Sequence, residues 1–179
     1  MTERAVKLIW PPFLRWTMAH ILVVCTANIC RSPVGEAVLR DRLIGRGLEE
    51  WTVGSAGTWA QWKRGASQHS VDLMREQGFD ITGHQARIIQ LEHMQQADLI
   101  LCMESGHVEA LKAEFPAYAY KVYYFSEMAG HPYSIKDPYG GSLAEYRRMT
   151  EELTDIIDRG LDRIIALATA NEKRGGKRD

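Results

Sequence analysis

The stretch "HILVVCTANICRSP" (residues 20–33) decides the fold. Its first six residues, His20 to Cys25, form a short β-branched apolar run bounded by a turn. That is the pattern of a strand buried on both faces of a parallel sheet. Its end, Ser32-Pro33, predicts a helix start, with a hydroxyl N-cap followed by proline at the first helical position. Val34, Ala37, Val38, Leu39, Leu43 and Ile44 then keep helical spacing as far as Gly45 and Gly47. Glycine and small polar residues usually fill the turn between such elements. Here the turn holds two cysteines, an arginine and a serine.

Further along the chain, strand-like and helix-like segments alternate. "WTVGSAG" (51–57), "ADLILCM" (97–103) and "YKVYYF" (120–125) read as three more strands. "SVDLMREQG" (70–78) reads as a helix stopped by Gly78, and "HVEALKAEF" (107–115) as one ended by Pro116. A loop, "GHPYSIKDPYGGS" (130–142), leads into the longest helix, with Ser142 and Glu145 spaced as a capping box. Its apolar stripe runs from Leu143 through Tyr146, Met149, Leu153 and Ile157 to Ala168. Strands alternating with helices imply a parallel sheet with right-handed crossovers and helices on both faces. Ligands in such sheets bind at the carboxyl ends of the strands, near a switch in strand order. The turn after Cys25 lies at such an end.

Length and composition set the frame. A chain of 179 residues, 45% apolar and 25% charged, is expected to form one globular domain. The net charge of −1 gives no reason to expect nucleic acid or an anionic membrane as a partner. Three cysteines without a disulfide-scaffold pattern point to a reducing, cytoplasmic compartment. Residues 1–18 have an apolar run, but Pro11, Pro12 and Arg15 break it and no small-residue cleavage site follows. They are expected to be an N-terminal extension, with Met18 an alternative start, ahead of a domain spanning 19–170. The charged, glycine-containing tail 171–179 is expected to fray.

Cys25 and Arg31 bracket a loop that opens onto a helix N-terminus. Backbone N–H groups in a loop of this length can wrap a tetrahedral anion, aided by the helix dipole. Arg31 can grip two oxygens of that anion in a bidentate fashion. The same positive field should favour the Cys25 thiolate, and Ser32 could donate its hydroxyl to the sulfur. A thiolate beneath a bound phosphate is a nucleophile aimed at phosphorus. Such a reaction also needs an acid for the leaving group. Asp137-Pro138, in the loop after the fourth strand, offers one.

"ILVVCTANICRSPVGEA", "SAGT", "GHQAR", "ADLILCM" and "DPYGGS" occur in the order seen in low-molecular-weight protein-tyrosine phosphatases, and the chain resembles that family from about residue 19 to 165. The resemblance implies a three-layer fold, a central four-stranded parallel sheet of the flavodoxin-like kind with helices on both faces. It makes Cys25 the nucleophile that becomes phosphocysteine and Arg31 the phosphate ligand. Asp137 would protonate the leaving oxygen, then activate the water that hydrolyses the intermediate. The phosphate loop would comprise Thr26, Ala27, Asn28, Ile29, Cys30 and Ser32. Asn28 matches the loop asparagine that holds the cradle's shape, Ser55 and His84 its hydrogen-bonded support, and Ser32 the serine that assists the nucleophile. Ile29 and Tyr139 match positions that wall the substrate cleft, and Trp59 or Trp62 could add a third wall.

No metal or other cofactor is implied, because the loop amides and Arg31 supply the charge stabilisation. The expected partners are a phosphorylated protein as substrate and inorganic phosphate as product or inhibitor. In the family, the cysteine at the position of Cys30 can form a reversible disulfide with the nucleophile. Relatives that cleave phosphoarginine tend to carry threonine where this chain has Ile29, so the resemblance favours phosphotyrosine, with protein-arginine phosphatase as the alternative. The family usually has glycine at Ala27; alanine there costs little only if its φ is negative.

Two other functions meet obstacles in the sequence. An arsenate reductase of this fold needs a downstream cysteine pair, and no cysteine follows Cys102. A phosphocarrier with a similar loop needs neither Arg31 nor Asp137.

Overall fold

The computed structural model describes residues 18–175. Four strands, β1 (His20–Cys25), β2 (Thr52–Gly57), β3 (Leu99–Cys102) and β4 (Val122–Tyr124), form one parallel sheet in the order β2-β1-β3-β4. Strand β1 runs as the sequence predicts, and the other three are one to two residues shorter at the ends than their apolar runs. Alternating side chains of β1 and β3 feed two separate cores. Ile21, Val23, Leu99 and Leu101 face helices α1 (Arg31–Gly45), α2 (Gln68–Glu76) and α5 (Leu143–Gly175). Leu22, Val24, Ile100 and Cys102 face α3 (Leu91–Gln96) and α4 (Ser105–Glu114). The result is the expected flavodoxin-like, three-layer α/β fold.

Three local expectations are corrected. Helix α1 begins at Arg31 with Cys30 at the cap position and no side-chain cap bond. Ser32 is therefore inside the first turn, and its hydroxyl is free for the loop. At the start of α5, the Ser142 backbone N–H donates to Glu145 Oε2 at 2.8 Å, the glutamate half of a capping box. The return bond to the Glu145 N–H comes from the Ser142 carbonyl, not its hydroxyl. Finally, the tail expected to fray from 171 continues α5 to Gly175, with Asn171 buried; residues 176–179, like 1–17, lie outside the described residues. None of the described helices is long and apolar enough to cross a membrane.

Chain order places the switch in the sheet between β1 and β3, since successive connections leave β1 in opposite directions. The carboxyl ends of β1, β3 and β4 all open on that side. They carry the 25–31 loop, Glu104 and the 130–142 loop.

Candidate active site

The loop from Cys25 to Arg31 closes over its own first residue. The Asn28 N–H donates to Cys25 Sγ at 3.3 Å, and Ser32 Oγ lies 3.0 Å from the same sulfur. Asn28 adopts φ 56°, and among the described non-glycine residues only Lys63 shares a positive φ. Asparagine tolerates that region better than most residues. Ala27 therefore has negative φ and carries no strain from its missing glycine.

Asn28 is the hub of a hydrogen-bonded network behind the loop. Its Oδ1 accepts from the Arg87 N–H at 3.0 Å, which fixes the amide orientation. Its Nδ2 then donates to Ser32 Oγ at 2.8 Å and Ser55 Oγ at 2.9 Å. Ser55 passes its own proton to Glu36 Oε2 at 2.6 Å. Ser32 accepts from Asn28, which leaves its hydroxyl hydrogen available to Cys25 Sγ, 3.0 Å away. To a thiolate at Cys25 both the Asn28 N–H and the Ser32 hydroxyl can donate, and together they stabilise its negative charge. His84 Nε2 meets the Asn28 carbonyl at 2.6 Å and holds the loop from outside. Ser55, His84 and Asn28 are brought together as the family resemblance implies; Glu36 and Arg87 complete the network without any sequence signal of their own.

Gly57, the last residue of β2, shows how closely that network is built. A Cβ there would lie 2.4 Å from the Thr26 carbonyl oxygen and 3.0 Å from the Asn28 nitrogen. Both neighbours are backbone, so only glycine lets the loop sit against the sheet.

Arg31 is 1% exposed and is held from three sides. Nη1 donates to Glu104 Oε1 at 2.5 Å and to the Ile135 carbonyl at 2.8 Å. Nη2 donates to Asp137 Oδ2 at 2.7 Å and makes a long contact of 3.4 Å with Thr26 Oγ1. Its buried Nε has no protein acceptor among the described residues, leaving one donor for a ligand. Helix α1 adds its first-turn N–H groups, with no acidic side chain in that turn to neutralise them. The Tyr139 N–H donates to Asp137 Oδ1 at 3.1 Å and orients the carboxylate.

Glu104 and His107 are further site residues that the sequence reading missed. Both follow β3 on the ligand side of the sheet, and that position in "CMESGH" was the available signal. His107 Nε2 lies 3.0 Å from Thr26 Oγ1. Burial pushes the His107 pKa below its ordinary value, opposed by the Glu104 carboxylate.

A cleft of about 370 Å³ opens above the loop, lined by Thr26, Ala27, Trp59, Arg64, Asp137 and Tyr139 among others. Tyr139 stands where expected. Ile29 does not: it is 1% exposed and packs into the core beneath the loop with Cys30 and Val34. An apolar branched side chain at the inner side of a turn is better buried than left in the wet cleft mouth. The tryptophans separate as well. Trp59 lines this cleft, whereas Trp62 turns to a different one.

Cys30 also points away from the cleft, with Sγ 3.3 Å from the Tyr146 hydroxyl. Burial pushes its thiol pKa up, and burial together with the Cys30 contact raises Tyr146 to about 12. Cys102 is fully buried in the second core, as expected of a packing residue, and burial pushes its pKa far up. Among the described residues no cluster of three or more histidine, cysteine or acidic side chains could hold a metal ion.

A cysteine beneath an amide cradle, with an arginine and an aspartate converging at the switch point of a parallel sheet, defines a class of phosphate-handling α/β protein. The family model for low molecular weight phosphotyrosine protein phosphatase matches residues 20–171, and the chain belongs to that family of cysteine-dependent hydrolases. Among its relatives is the protein-arginine-phosphatase of Geobacillus stearothermophilus, 35% identical over 78% of this chain and 92% of the relative. Another is the probable low molecular weight protein-tyrosine-phosphatase EpsP of Ralstonia nicotianae, 36% identical over 79% of this chain and 90% of that one. The crystal structure of the low molecular weight protein tyrosine phosphatase from T. tengcongensis superposes with a TM-score of 0.76 at 35% identity, covering 81% of this chain and 99% of that one.

Proposed function

We propose that this protein hydrolyses phosphotyrosine in proteins through a phosphocysteine on Cys25. The observation that carries the reading is the convergence of Cys25, Arg31 and Asp137 on one loop-lined space, with Asp137 2.7 Å from Arg31. A phosphate entering the cradle takes over the Arg31 edge that Asp137 holds. Asp137, the ion-pair partner of Arg31 until then, is released toward the leaving oxygen and takes up a proton from solvent. The sulfur attacks phosphorus, the P–O bond breaks, and Asp137 gives its proton to the departing phenolate. In the second step Asp137 takes a proton from water, which attacks phosphorus, breaks the P–S bond and restores the thiolate. Inorganic phosphate leaves as product and competes with substrate for the same cradle. Loop amides and Arg31 meet the charge on the transferring group, so the residues present call for no metal. The three free, buried cysteines suit a reducing cytoplasm.

The aromatic mouth supports the tyrosine preference. Trp59 and Tyr139 line the cleft with large exposed faces, against which a phenyl ring can stack. With Ile29 buried, these two residues carry the preference. Phosphoarginine is the second reading, because relatives named for each activity match this chain equally well. Steady-state kcat/KM on matched phosphotyrosine and phosphoarginine peptides separates them. A ratio of about 10 or more in favour of phosphotyrosine is expected, the discrimination typical of apolar pocket contacts. A ratio below one would transfer the assignment to phosphoarginine.

A further inference from the structure

Behind the loop, on the far side of the Asn28 network from the substrate cleft, lies a second cleft of about 480 Å³. His20, Glu36, Gly54, Lys63, His84 and Arg87 line it. The Arg87 guanidinium lies close over β2 at Gly54, where a Cβ would be 2.8 Å from Nη2 and 3.3 Å from the His20 ring. Arg87 Nε donates to the Ser55 carbonyl at 2.9 Å, while its Nη groups have no acceptor among the described residues. Lys63 on the rim makes no ion pair among the described residues, and it holds a φ of 61°, a conformation rare for lysine. The one acidic group in the cleft, Glu36, already accepts from Ser55 and is paired with Arg40. The cleft therefore presents two uncompensated cations and two imidazoles.

We propose that this cleft is a regulatory site for a small oxyanion, a phosphate or a carboxylate, held by the Arg87 guanidinium and Lys63. Its effect reaches the catalytic loop through contacts already described. The Arg87 N–H fixes Asn28 Oδ1, Arg87 Nε holds Ser55, and His84 holds the Asn28 carbonyl. An anion that draws the Arg87 side chain outward shifts the peptide whose N–H caps Asn28. Asn28 in turn sets the two donors on Cys25 Sγ. The coupling thus runs through one loop residue in a sparsely populated backbone conformation.

The test uses full-length, 15N-labelled protein whose catalytic loop is saturated with orthovanadate. Inorganic phosphate and citrate are titrated separately, to distinguish phosphate from carboxylate binding. Saturable shifts are expected at Gly54, Lys63, His84 and the Arg87 Nε–H. Lys63→Asn removes the charge with a residue that tolerates the left-handed backbone, and it should weaken binding about tenfold, as loss of one charge-assisted contact does. In steady-state assays the binding anion should change kcat by about 5-fold, within the usual range of coupling between sites, and Lys63→Asn should blunt that change. Absence of saturable shifts at these four residues, or shifts unaltered in Lys63→Asn, would overturn the site. An unchanged kcat at saturating anion would overturn its regulatory role.

Discussion

Cys25→Ser is expected to abolish turnover of p-nitrophenyl phosphate, with a loss of at least about 10⁴-fold, while the affinity for vanadate stays within about tenfold of wild type. The two outcomes separate because they depend on different atoms. Attack on phosphorus needs the polarisable sulfur and the two donors that stabilise its negative charge. Binding needs the loop amides, the first turn of α1 and the Arg31 guanidinium, none of which the substitution removes. A serine at 25 also keeps a partner for Ser32 Oγ and the Asn28 N–H, so the loop has no reason to open. Stopped-flow rates together with a vanadate titration by calorimetry measure both. More than a few per cent of residual activity would mean that the sulfur is not the nucleophile.

Asp137→Asn is expected to cost about 10²–10⁴-fold on aryl phosphates with poor leaving groups and far less on those with good ones. Only a basic phenolate needs a proton as the P–O bond breaks. The amide keeps the size of the carboxylate and can still accept the Tyr139 N–H, so the loop geometry is preserved. It cannot donate an acid proton, and it no longer carries the charge that pairs with Arg31. Phosphate affinity should therefore hold or improve, because the anion no longer displaces a carboxylate from Nη2. A plot of log kcat/KM against leaving-group pKa should be steep for the variant and shallow for wild type. Parallel lines would make Asp137 a loop residue with no part in proton transfer.

How much of this was legible in the sequence depends on whether a residue acts alone or through geometry. Strand β1 was readable because its last five residues, Ile21 to Cys25, are apolar without interruption, as burial on both faces requires. Cys25, Arg31 and Asp137 were readable because their chemistry is unusual for the turns they occupy. Helix α3 was not, since it has six residues and buries only Met94, too short for a periodic pattern. The start of α1 was misread because Ser-Pro is a good helix opening in general. Here the helix begins at Arg31, and the serine serves the sulfur. Nothing in the local sequence marks Glu36, Arg87 and Glu104; it is the fold that brings them against the loop and Arg31. Ile29 was assigned to the cleft from its place in a motif, yet side-chain direction within a tight loop is a three-dimensional property. Trp59 and Trp62, three residues apart, could be told apart only by the turn between them.

The proposed mechanism turns on a covalent bond between Cys25 and phosphorus. Rapid-quench mixing of Asp137→Asn with a phosphate ester of a good leaving group, followed by peptide mass spectrometry, tests it most directly. The variant should form the intermediate readily but hydrolyse it slowly, for want of a base to activate water. One phosphoryl group should accumulate on the peptide carrying Cys25, at a stoichiometry approaching one per enzyme. Phosphate released at the rate of substrate consumption, with no phosphopeptide at any quench time, would contradict the covalent mechanism.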